Sequence, residues 1–476
     1  MRKAKRLLAL SVAMISALSF AACGKDDSSS VIAGKDLDSE QVEAINSAVD
    51  DVDWGNTDLA NKEVKWLAHY DINPVDGKVE DPGIRLFKEK YNGQITWVQT
   101  DWNGRYTKLA SLVSSNDSPD MFPASDMDAF PIGAIQGMFQ PIDSYIDVNS
   151  EYWKDIKPTL DTFSLGDSHY VAVIENSPNL ICLYNKTVIE DNGFEDPAEL
   201  YDKGEWTWDV MQEMAIDFTD ADADKYAFDG FWWWDAIEQS TGIPLIGMED
   251  GKVVSHLEDA SVAEAETLIY DLTKAGVGFP RHLNDWNTRG SNDEGTEGLG
   301  QGLTLFIPVG PYEIEDTLAN TACCGDVAAG EVMFVPMPSK DGSEPYMPAR
   351  VEGYCLCSGA KNPEGFAAFM LCKRVANTNG EVKAIGMATL TEEYGWTQEM
   401  VDMREECYRL ANDKPVFEFY KAVSDEMTTA FSTIVTATST TNGDAQTWAE
   451  VVSANKNGVN YYVEEVNGKI DNAIAK

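Results

Sequence analysis

The stretch that decides the fold is residues 170–215, YVAVIENSPNLICLYNKTVIEDNGFEDPAELYDKGEWTWDVMQEMA. Apolar residues alternate from Val171, the alternation breaks at the polar stretch 175–178, and a second strand-like apolar run covers 180–184. Two strands separated by such a break predict a chain that crosses from one folded body to a second one.

The second half of this stretch carries helix signals. Asp196 and Pro197 are suited to the N-cap and the first helical position, and Gly204 is suited to a helix end. Thr207 is an N-cap for a further helix, which places apolar residues 210, 214 and 218 on one face. The stretch therefore predicts two strands followed by short helices.

Upstream of it, strands and helices alternate. Apolar runs at 64–68, 95–99 and 120–123 read as strands, and helices are expected after Pro82 and over 106–113. Strand, helix, strand, helix, strand is the unit of a parallel sheet with helices on both faces. The fold class is therefore α/β.

The order of these parts resembles the extracellular solute-binding proteins of family 1, which are maltose-binding-protein-like and feed sugar ABC transporters. The resemblance rests on LYNK at 183–186, the helix ending near Gly204 and TWD at 207–209. It continues in SPDMFPASDMDAFPIGAIQGMFQPIDSYID upstream, and in GLGQGLTLFIPVGPYEI and VPMPSKDGSEPYMPARVEGYCLCSGAKNPEGFAAFMLC downstream. Together these blocks cover most of residues 62–375.

The resemblance implies a two-lobed fold of the periplasmic-binding-protein type II kind. Each lobe would be a mostly parallel sheet flanked by helices, and several strands would join the lobes as a hinge. We expect lobe 1 to comprise residues 61–172 plus 300–348, and lobe 2 to comprise residues 173–299 plus 349–476. C-terminal helices are expected at 363–375, with Asn362 as N-cap, and around 417–431.

The N-terminus predicts export. Basic residues 2, 3, 5 and 6 precede an apolar run over 7–20 that is shorter than the roughly 20 residues of a membrane span. The following Phe-Ala-Ala-Cys-Gly resembles the bacterial lipobox, with Phe20 where Leu is usual. We expect residues 1–22 to be a lipoprotein signal peptide and residues 23–60 to be a lipidated Cys23 and a flexible tether. The flexible composition covers about 24–38, and a short helix is expected at 39–49. An ordinary secretory signal is the alternative.

Composition excludes some partners. The chain of 476 residues has 36 basic and 80 acidic residues, a net charge of -44, which would repel nucleic acid and anionic membrane surfaces. Seven cysteines remain besides Cys23, and an odd number does not suit a complete disulfide framework. We expect most of them to be small core residues.

Motifs for catalysis or metal binding are missing from the sequence. It contains no H-E-x-x-H, G-x-S-x-G, P-loop or strand-to-helix G-x-G-x-x-G. Asp220-x-Asp222-x-Asp224 begins like a calcium loop, but Lys225 replaces the turn glycine and Phe231 replaces the bidentate glutamate. We therefore predict a binding protein without a cofactor or metal.

Aromatic residues indicate the kind of ligand. Sugar rings pack their C–H faces on aromatic planes, and their hydroxyl groups need paired donors and acceptors. Consecutive tryptophans 232–234 cannot all face one core, so at least one is expected in the cleft between the lobes. The resemblance favours Trp233 or Trp234 without choosing between them. An oligosaccharide is expected because aromatic residues are plentiful.

Other ligand-binding candidates lie at strand ends, where open α/β sheets bind ligands, and at the lobe crossings. The full candidate set is His69, Asp71, Trp102, Arg105, Ser125, Asp126, Glu175, Asn176, Trp233, Trp234, Trp286, Tyr312, Arg350 and Glu352. Trp102 has a structural alternative, which is to cap its helix against the sheet. The structural alternative for Glu175 and Asn176 is a hinge turn. Arg350 and Glu352 could instead hydrogen-bond each other.

The predicted function is that of a monomeric substrate-binding lipoprotein on the extracellular face of the cell membrane. It would capture an oligosaccharide and deliver it to the permease subunits of a carbohydrate ABC importer. A non-sugar solute such as a peptide or polyol is the alternative within this class. An exported glycan-active enzyme and a surface adhesin or sensor are the alternatives outside it.

Overall fold

The computed structural model describes residues 34–75, 77–230, 232–280, 297–315, 324–441 and 443–475. The strands are β1 (Glu63–Ala68), β2 (Gln94–Gln99), β3 (Met121–Pro123), β4 (Ser164–Leu165), β5 (Ser168–His169), β6 (Val171–Pro178), β7 (Ile181–Asn185), β8 (Tyr226–Phe228), β9 (Ile246–Glu249), β10 (Lys252–Ser255), β11 (Thr304–Val309), β12 (Val332–Val335), β13 (Met347–Leu356) and β14 (Pro415–Val416).

The α-helices are α1 (Ser39–Ala48), α2 (Pro82–Tyr91), α3 (Arg105–Ser114), α4 (Ile132–Ile135), α5 (Lys157–Thr162), α6 (Lys186–Asp191), α7 (Pro197–Lys203), α8 (Trp208–Phe218), α9 (Trp233–Gln239), α10 (Ala260–Ala275), α11 (Glu297–Gly300), α12 (Tyr312–Glu315), α13 (Pro363–Thr378), α14 (Gly380–Glu392), α15 (Gln398–Asp413), α16 (Asp425–Ala437) and α17 (Trp448–Ile474). In the part of the chain that the structure describes, none of these helices is long and apolar enough to cross a membrane.

The first sheet contains the three upstream strands that the sequence predicts. Its order is β14-β13-β3-β1-β2, and β6 pairs with β13. β1 is parallel to β2 and to β3, whereas β13 is antiparallel to β3 and β6. Because β1, β2 and β3 are parallel, their carboxyl ends meet at one edge of the sheet.

The second sheet has the order β12-β7-β11-β8. The stretch 170–215 therefore does connect two bodies, since β6 belongs to the first sheet and β7 to the second. A second connection runs from β12 to β13, and β13 pairs along β6. The two connecting segments thus start or end on neighbouring strands, which is the arrangement of a hinge.

The strand break predicted at 175–178 is wrong, because β6 continues to Pro178 and pairs there with β13. The helix signals of the stretch are confirmed. The Asp196 carboxylate accepts a hydrogen bond from the Ala198 amide at 2.9 Å, and α7 ends at Gly204 with φ of 69°. The Thr207 hydroxyl accepts from the Val210 amide at 3.3 Å and caps α8.

The predicted lobe boundaries are wrong for several strands. β11 and β12 lie within 300–348, which was expected in lobe 1, yet both pair with β7 of the second sheet. β13 and most of β6 were expected in lobe 2, yet both belong to the first sheet. Apolar runs of this kind can pair in either sheet, so the pairing depends on contacts distant in the sequence.

Two further expectations need correction. The short helix expected at 39–49 is confirmed as α1, but its Ile45 is fully buried and α1 packs against α14, so this part of 23–60 is not a free tether. The helix expected around 417–431 begins only at Asp425, after a short 3₁₀ turn at Tyr420–Ala422. The helix expected at 363–375 is confirmed as α13, with Asn362 accepting from the Gly365 amide at 3.0 Å.

Cysteines behave as predicted where the structure describes them. Six are buried and free of disulfides, namely Cys182, Cys324, Cys355, Cys357, Cys372 and Cys407. Burial raises the pKa of five of these thiols, those of Cys182, Cys355, Cys357, Cys372 and Cys407. These thiols therefore stay protonated and unreactive.

Candidate functional site

The edge where β1, β2 and β3 end carries a dense group of polar and aromatic side chains. His69 and Tyr70 follow β1, Trp102 and Arg105 follow β2, and Ser125, Asp126 and Asp128 follow β3. We call these seven residues the sheet-edge cluster. Parallel pairing brings the three segments together, which is the reason that strand ends in such sheets form ligand sites.

Trp102 is the aromatic surface of the cluster. Its side chain is 42% exposed, which is a large fraction for an indole. The Arg105 guanidinium lies 3.8 Å from the ring centroid, and the His69 ring meets the indole edge-on at 4.8 Å. These two contacts hold the indole in place and leave part of it open to a ligand.

Arg105 is the buried cation of the cluster. It is 5% exposed and forms an ion pair with Asp128, whose carboxylate also accepts from the Tyr106 hydroxyl at 2.5 Å. Asp126 lies on its other side, with 3.8 Å between Arg105 Nε and Asp126 Oδ2. Met127 between the two aspartates has φ of 56°, a conformation that costs a non-glycine residue about 1 to 3 kcal/mol.

Three buried polar atoms of the cluster have no hydrogen-bond partner among the described residues. They are His69 Nδ1, Arg105 Nε and Asp126 Oδ2. Buried polar atoms in folded proteins are nearly always paired, so these three are candidate donors and acceptors for a ligand. A hydroxyl group placed between Arg105 Nε and Asp126 Oδ2 can accept from the first and donate to the second.

Burial and neighbouring charges shift the pKa values of two side chains in the cluster. Burial raises the pKa of Asp126 to about 6, helped by the negative charge of Asp128 and opposed by Arg105. Burial also lowers the pKa of His69, and the positive charge of Arg105 adds to that effect. Near neutral pH the site therefore holds a neutral imidazole and a partly protonated Asp126.

Further candidates lie near the cluster. The Arg350 guanidinium is 5.8 Å from the ring centroid of Tyr312, which is 38% exposed. Arg350 is on β13 of the first sheet, while Tyr312 follows β11 of the second, so this contact joins the two bodies. The charge of Arg350 favours ionisation of Asp126, and so does that of Lys421.

Glu352 is a residue of β13, in the strand pair β6–β13. Its carboxylate accepts from the Tyr354 hydroxyl at 2.8 Å, lies 3.8 Å from Lys373 Nζ, and contributes to the raised pKa of Tyr70. Opposite it in the ladder is Glu175, which instead accepts from the Asn377 amide of α13. Burial raises the pKa of Glu175.

Two predicted residues serve local structure instead. Asp71 accepts from the backbone and side-chain amides of Asn73 at 3.0 and 2.9 Å, which makes a turn. Asn176 is 2% exposed and donates to the Thr159 hydroxyl at 3.1 Å, beneath α5. Both were expected at the site, and in the structure neither side chain joins the cluster.

The expected cleft tryptophans are also absorbed by packing. Trp233 and Trp234 are 3% and 8% exposed, and Trp233 stacks on Phe228 with ring centroids 5.2 Å apart. The two residues are adjacent at the start of α9, and the ring of Trp234 packs edge-on against the ring of Trp233. Trp232, which precedes the helix, is half-buried.

Trp286 and Cys23 lie outside the described residues. Within the described ranges, no group of three or more His, Cys, Asp or Glu side chains could hold a metal ion. The calcium-like start at 220–224 is a helix cap, in which Asp220 accepts from the Asp222 and Ala223 amides at 3.1 and 3.3 Å.

Sequence reasoning missed four residues of this region. Tyr70 and Asp128 are neighbours of predicted residues along the chain, so the strand-end rule could have found them. Tyr106 was expected only as a buried helix residue. Lys421 is far away in the sequence and carries no local signal.

A groove of about 870 Å³ lies elsewhere, between α7, residues 336–345 and α15. It shares no residue with the sheet-edge cluster. We place the candidate site at the cluster because three unpaired buried polar atoms and an exposed indole converge there. The arrangement suits an uncharged ligand with hydroxyl groups, since Arg105 is already neutralised by Asp128.

Solved structures with the same architecture include several solute-binding proteins. One from Thermotoga lettingae, bound with alpha-D-tagatose, is 17% identical with a TM-score of 0.57, over 86% of this chain and 100% of that one. A Listeria monocytogenes substrate-binding protein in complex with cycloalternan is 15% identical with a TM-score of 0.60, over 84% and 98%. The Bifidobacterium longum protein in complex with lacto-N-biose is 14% identical with a TM-score of 0.60, over 86% and 98%.

At these identities the likeness shows the fold, and it confirms the predicted two-lobed α/β class. No curated protein matches the chain. A family model described as bacterial extracellular solute-binding protein matches residues 84–405, which is more than half of the sequence. The two hinged sheets, the polar cluster at the edge of the first sheet and this match lead to one conclusion: the chain belongs to the family of bacterial extracellular solute-binding proteins.

Proposed function

We propose that this protein is the substrate-binding component of a carbohydrate ABC importer, which captures an oligosaccharide and hands it to the permease. The observation that carries the proposal is the sheet-edge cluster, where the exposed Trp102 lies beside the unpaired Arg105 Nε and Asp126 Oδ2. The indole offers a stacking surface for a sugar ring, and the two polar atoms offer one donor and one acceptor for a hydroxyl. The sugars bound by the three structural relatives support the same ligand class.

Capture would work by closure of the two bodies about the β6–β7 and β12–β13 connections. A ligand that contacts both bodies stabilises the closed arrangement relative to the open one, and its differential affinity sets the shift. Tyr312 and Arg350 already join the two bodies next to the cluster. Discrimination between sugars would come from hydroxyl pairing, because a buried polar group left unpaired costs about 1 to 3 kcal/mol.

The proposal includes export and anchoring. The basic, then apolar, N-terminus and the lipobox-like residues 20–24 support a lipoprotein signal, with Cys23 as the modified residue. Membership of an extracellular family supports export. Mass spectrometry of the mature protein from its host membrane tests this step, since a Cys23→Ser variant would lose the diacylglyceryl group.

The ligand class is tested by isothermal titration calorimetry against a panel of oligosaccharides, with polyols and peptides as the competing solutes. We expect one or more oligosaccharides to bind, and to be recovered intact after incubation. Trp102→Ala should weaken binding at least tenfold, because stacking is lost. Tyr461→Ala, which removes an aromatic residue 61% exposed on α17, is the matched control and should bind normally.

Two results would contradict the proposal. Cleavage of the oligosaccharide that is lost in Asp126→Asn would identify a glycan-active enzyme. Tight binding of a peptide, with no binding of any oligosaccharide, would show that the ligand is a peptide and not a carbohydrate.

A further inference from the structure

One arginine next to the sheet-edge cluster has no acid to neutralise it. The structure describes six arginines, and five of them form ion pairs with carboxylates, namely Arg85, Arg105, Arg374, Arg404 and Arg409. Arg350, the sixth, forms no hydrogen bond or ion pair with any described residue. Its side chain is half-buried, and a charge taken partly out of water without a partner is unfavourable. In a chain with 80 acidic and 36 basic residues, this unpaired guanidinium indicates an acceptor that a ligand supplies.

The neighbours of Arg350 in the first sheet do not supply that acceptor. Opposite it in the ladder is Ser177, which carries no charge. Glu352, two positions further along β13, projects from the same face of the strand. Its carboxylate already accepts from the Tyr354 hydroxyl at 2.8 Å and lies 3.8 Å from Lys373 Nζ. The charge of Arg350 is therefore not neutralised within the sheet.

The aromatic contact of Arg350 leaves its donors available. The ring centroid of Tyr312 lies 5.8 Å from the guanidinium carbon, and Tyr312 is 38% exposed. A cation–π contact provides no carboxylate, so the five N–H donors of the guanidinium can still bind one. Because Tyr312 follows β11 of the second sheet, this open contact lies between the two bodies.

The charge of Arg350 reaches the sheet-edge cluster. Burial raises the pKa of Asp126 and of Tyr70, and the positive charge of Arg350 opposes the rise at both. Lys421 also acts on Asp126, is exposed, and forms no ion pair among the described residues. Charges act on one another over about 10 Å at 0.1 M salt, a distance that a disaccharide can span. One ligand can therefore contact both the cluster and Arg350.

We propose that the oligosaccharide bound by this protein carries a carboxylate, as a uronic acid does, and that Arg350 binds this carboxylate. The inference rests on the carbohydrate function proposed above and names the class of sugar. A guanidinium and a carboxylate match through two parallel N–H···O bonds. The cluster itself takes the uncharged hydroxyl groups, because Arg105 is already paired with Asp128. A neutral sugar would leave the guanidinium without an acceptor when the two bodies close.

The test is calorimetric titration of the full chain with disaccharides of galacturonic, glucuronic and mannuronic acid, each compared with the neutral disaccharide of the same linkage. At least one uronate should bind about tenfold more tightly than its neutral counterpart. Arg350→Gln should abolish this preference and leave the affinity for the neutral sugar within about twofold, whereas Arg350→Lys should keep part of the preference. Arg409→Gln, which removes an exposed arginine of α15, is the matched control and should keep all of it.

A second measurement needs no variant. The affinity of the wild-type protein for the uronate should fall when sodium chloride is raised from about 50 to about 500 mM, and the affinity for the neutral sugar should not. The proposal is overturned if no uronate is preferred, if the preference survives in Arg350→Gln, or if it is insensitive to salt. Neutral disaccharides that bind without any preference for uronates would refute the acidic ligand alone, whereas the absence of all sugar binding would refute the carbohydrate function as well.

Discussion

Replacing Glu266 by glutamine should make the protein more stable at neutral and alkaline pH. Glu266 is on α10, is 1% exposed, and accepts from the Thr438 hydroxyl at 2.6 Å. Burial raises its pKa from 4.5 to about 8, opposed by the Thr438 hydrogen bond and increased by the charge of Asp235. Burial also raises the pKa of the nearby Asp235 to about 7 and that of Glu418 to about 8.

The magnitude follows from proton linkage. The folded protein binds more protons at Glu266 than the unfolded chain between pH 4.5 and about 8, so the free energy of unfolding falls as pH rises through this window. At about 1.4 kcal/mol per pKa unit, the cost is about 3 kcal/mol at pH 7 and about 1 kcal/mol near pH 5. Glutamine keeps an acceptor for Thr438 and has no proton to bind.

We therefore expect Glu266→Gln to stabilise the protein by roughly 2 to 3 kcal/mol at pH 7, and much less near pH 5. Thermal unfolding of wild type and variant at pH 5, 6, 7 and 8 measures this difference. Asp271→Asn removes an exposed acid from the same helix and is the control, with no pH-dependent change expected. A variant less stable than wild type at pH 7 and 8, or a difference that does not grow with pH, would refute the reasoning.

Three further predictions concern other parts of the molecule. Arg105→Ala should destabilise the protein by about 3 to 5 kcal/mol in thermal unfolding, because Asp126 and Asp128 lose their buried cation; a loss that is no larger at pH 8 than at pH 5 would contradict this. Affinity for a hydroxyl ligand, measured by calorimetry, should rise from pH 5 to 7 as Asp126, with its pKa of about 6, becomes a charged acceptor, and Asp126→Asn should remove that rise. Gly204→Ala should lower the free energy of unfolding by about 1 kcal/mol, because alanine is strained at the φ of 69° found there. Gly380→Ala, in helix α14 with open space around it, should raise the free energy of unfolding by about 0.5 kcal/mol. Equal changes in Tm for the two variants would contradict both expectations.

The strand-end rule predicted a useful part of the candidate site. His69, Trp102, Arg105, Ser125 and Asp126 were named from their positions after apolar runs, and parallel pairing does bring them together. The rule works because a parallel sheet places all its carboxyl ends at one edge.

It fails where a nearer partner takes the side chain. Asp71 follows β1 as predicted, but it bonds to Asn73 two residues later. Trp233 and Trp234 have the right chemistry for a sugar ring. Packing them against Phe228 and against each other removes apolar surface from water, and that burial is favourable. Sequence shows that three tryptophans are adjacent, and only packing shows which faces are used.

The sequence by itself determined the local events along the chain: where α7 and α8 begin, where Gly204 ends a helix, and where β7 lies. Caps, stops and alternation depend on residues within a few positions of one another, so they can be recognised without the fold. The tertiary structure alone decided which sheet β11, β12 and β13 join, the approach of Lys421 to Asp126, and the pairing of Arg105 with Asp128. Those outcomes depend on burial and charge between segments far apart in the sequence, where many pairings suit the same apolar pattern.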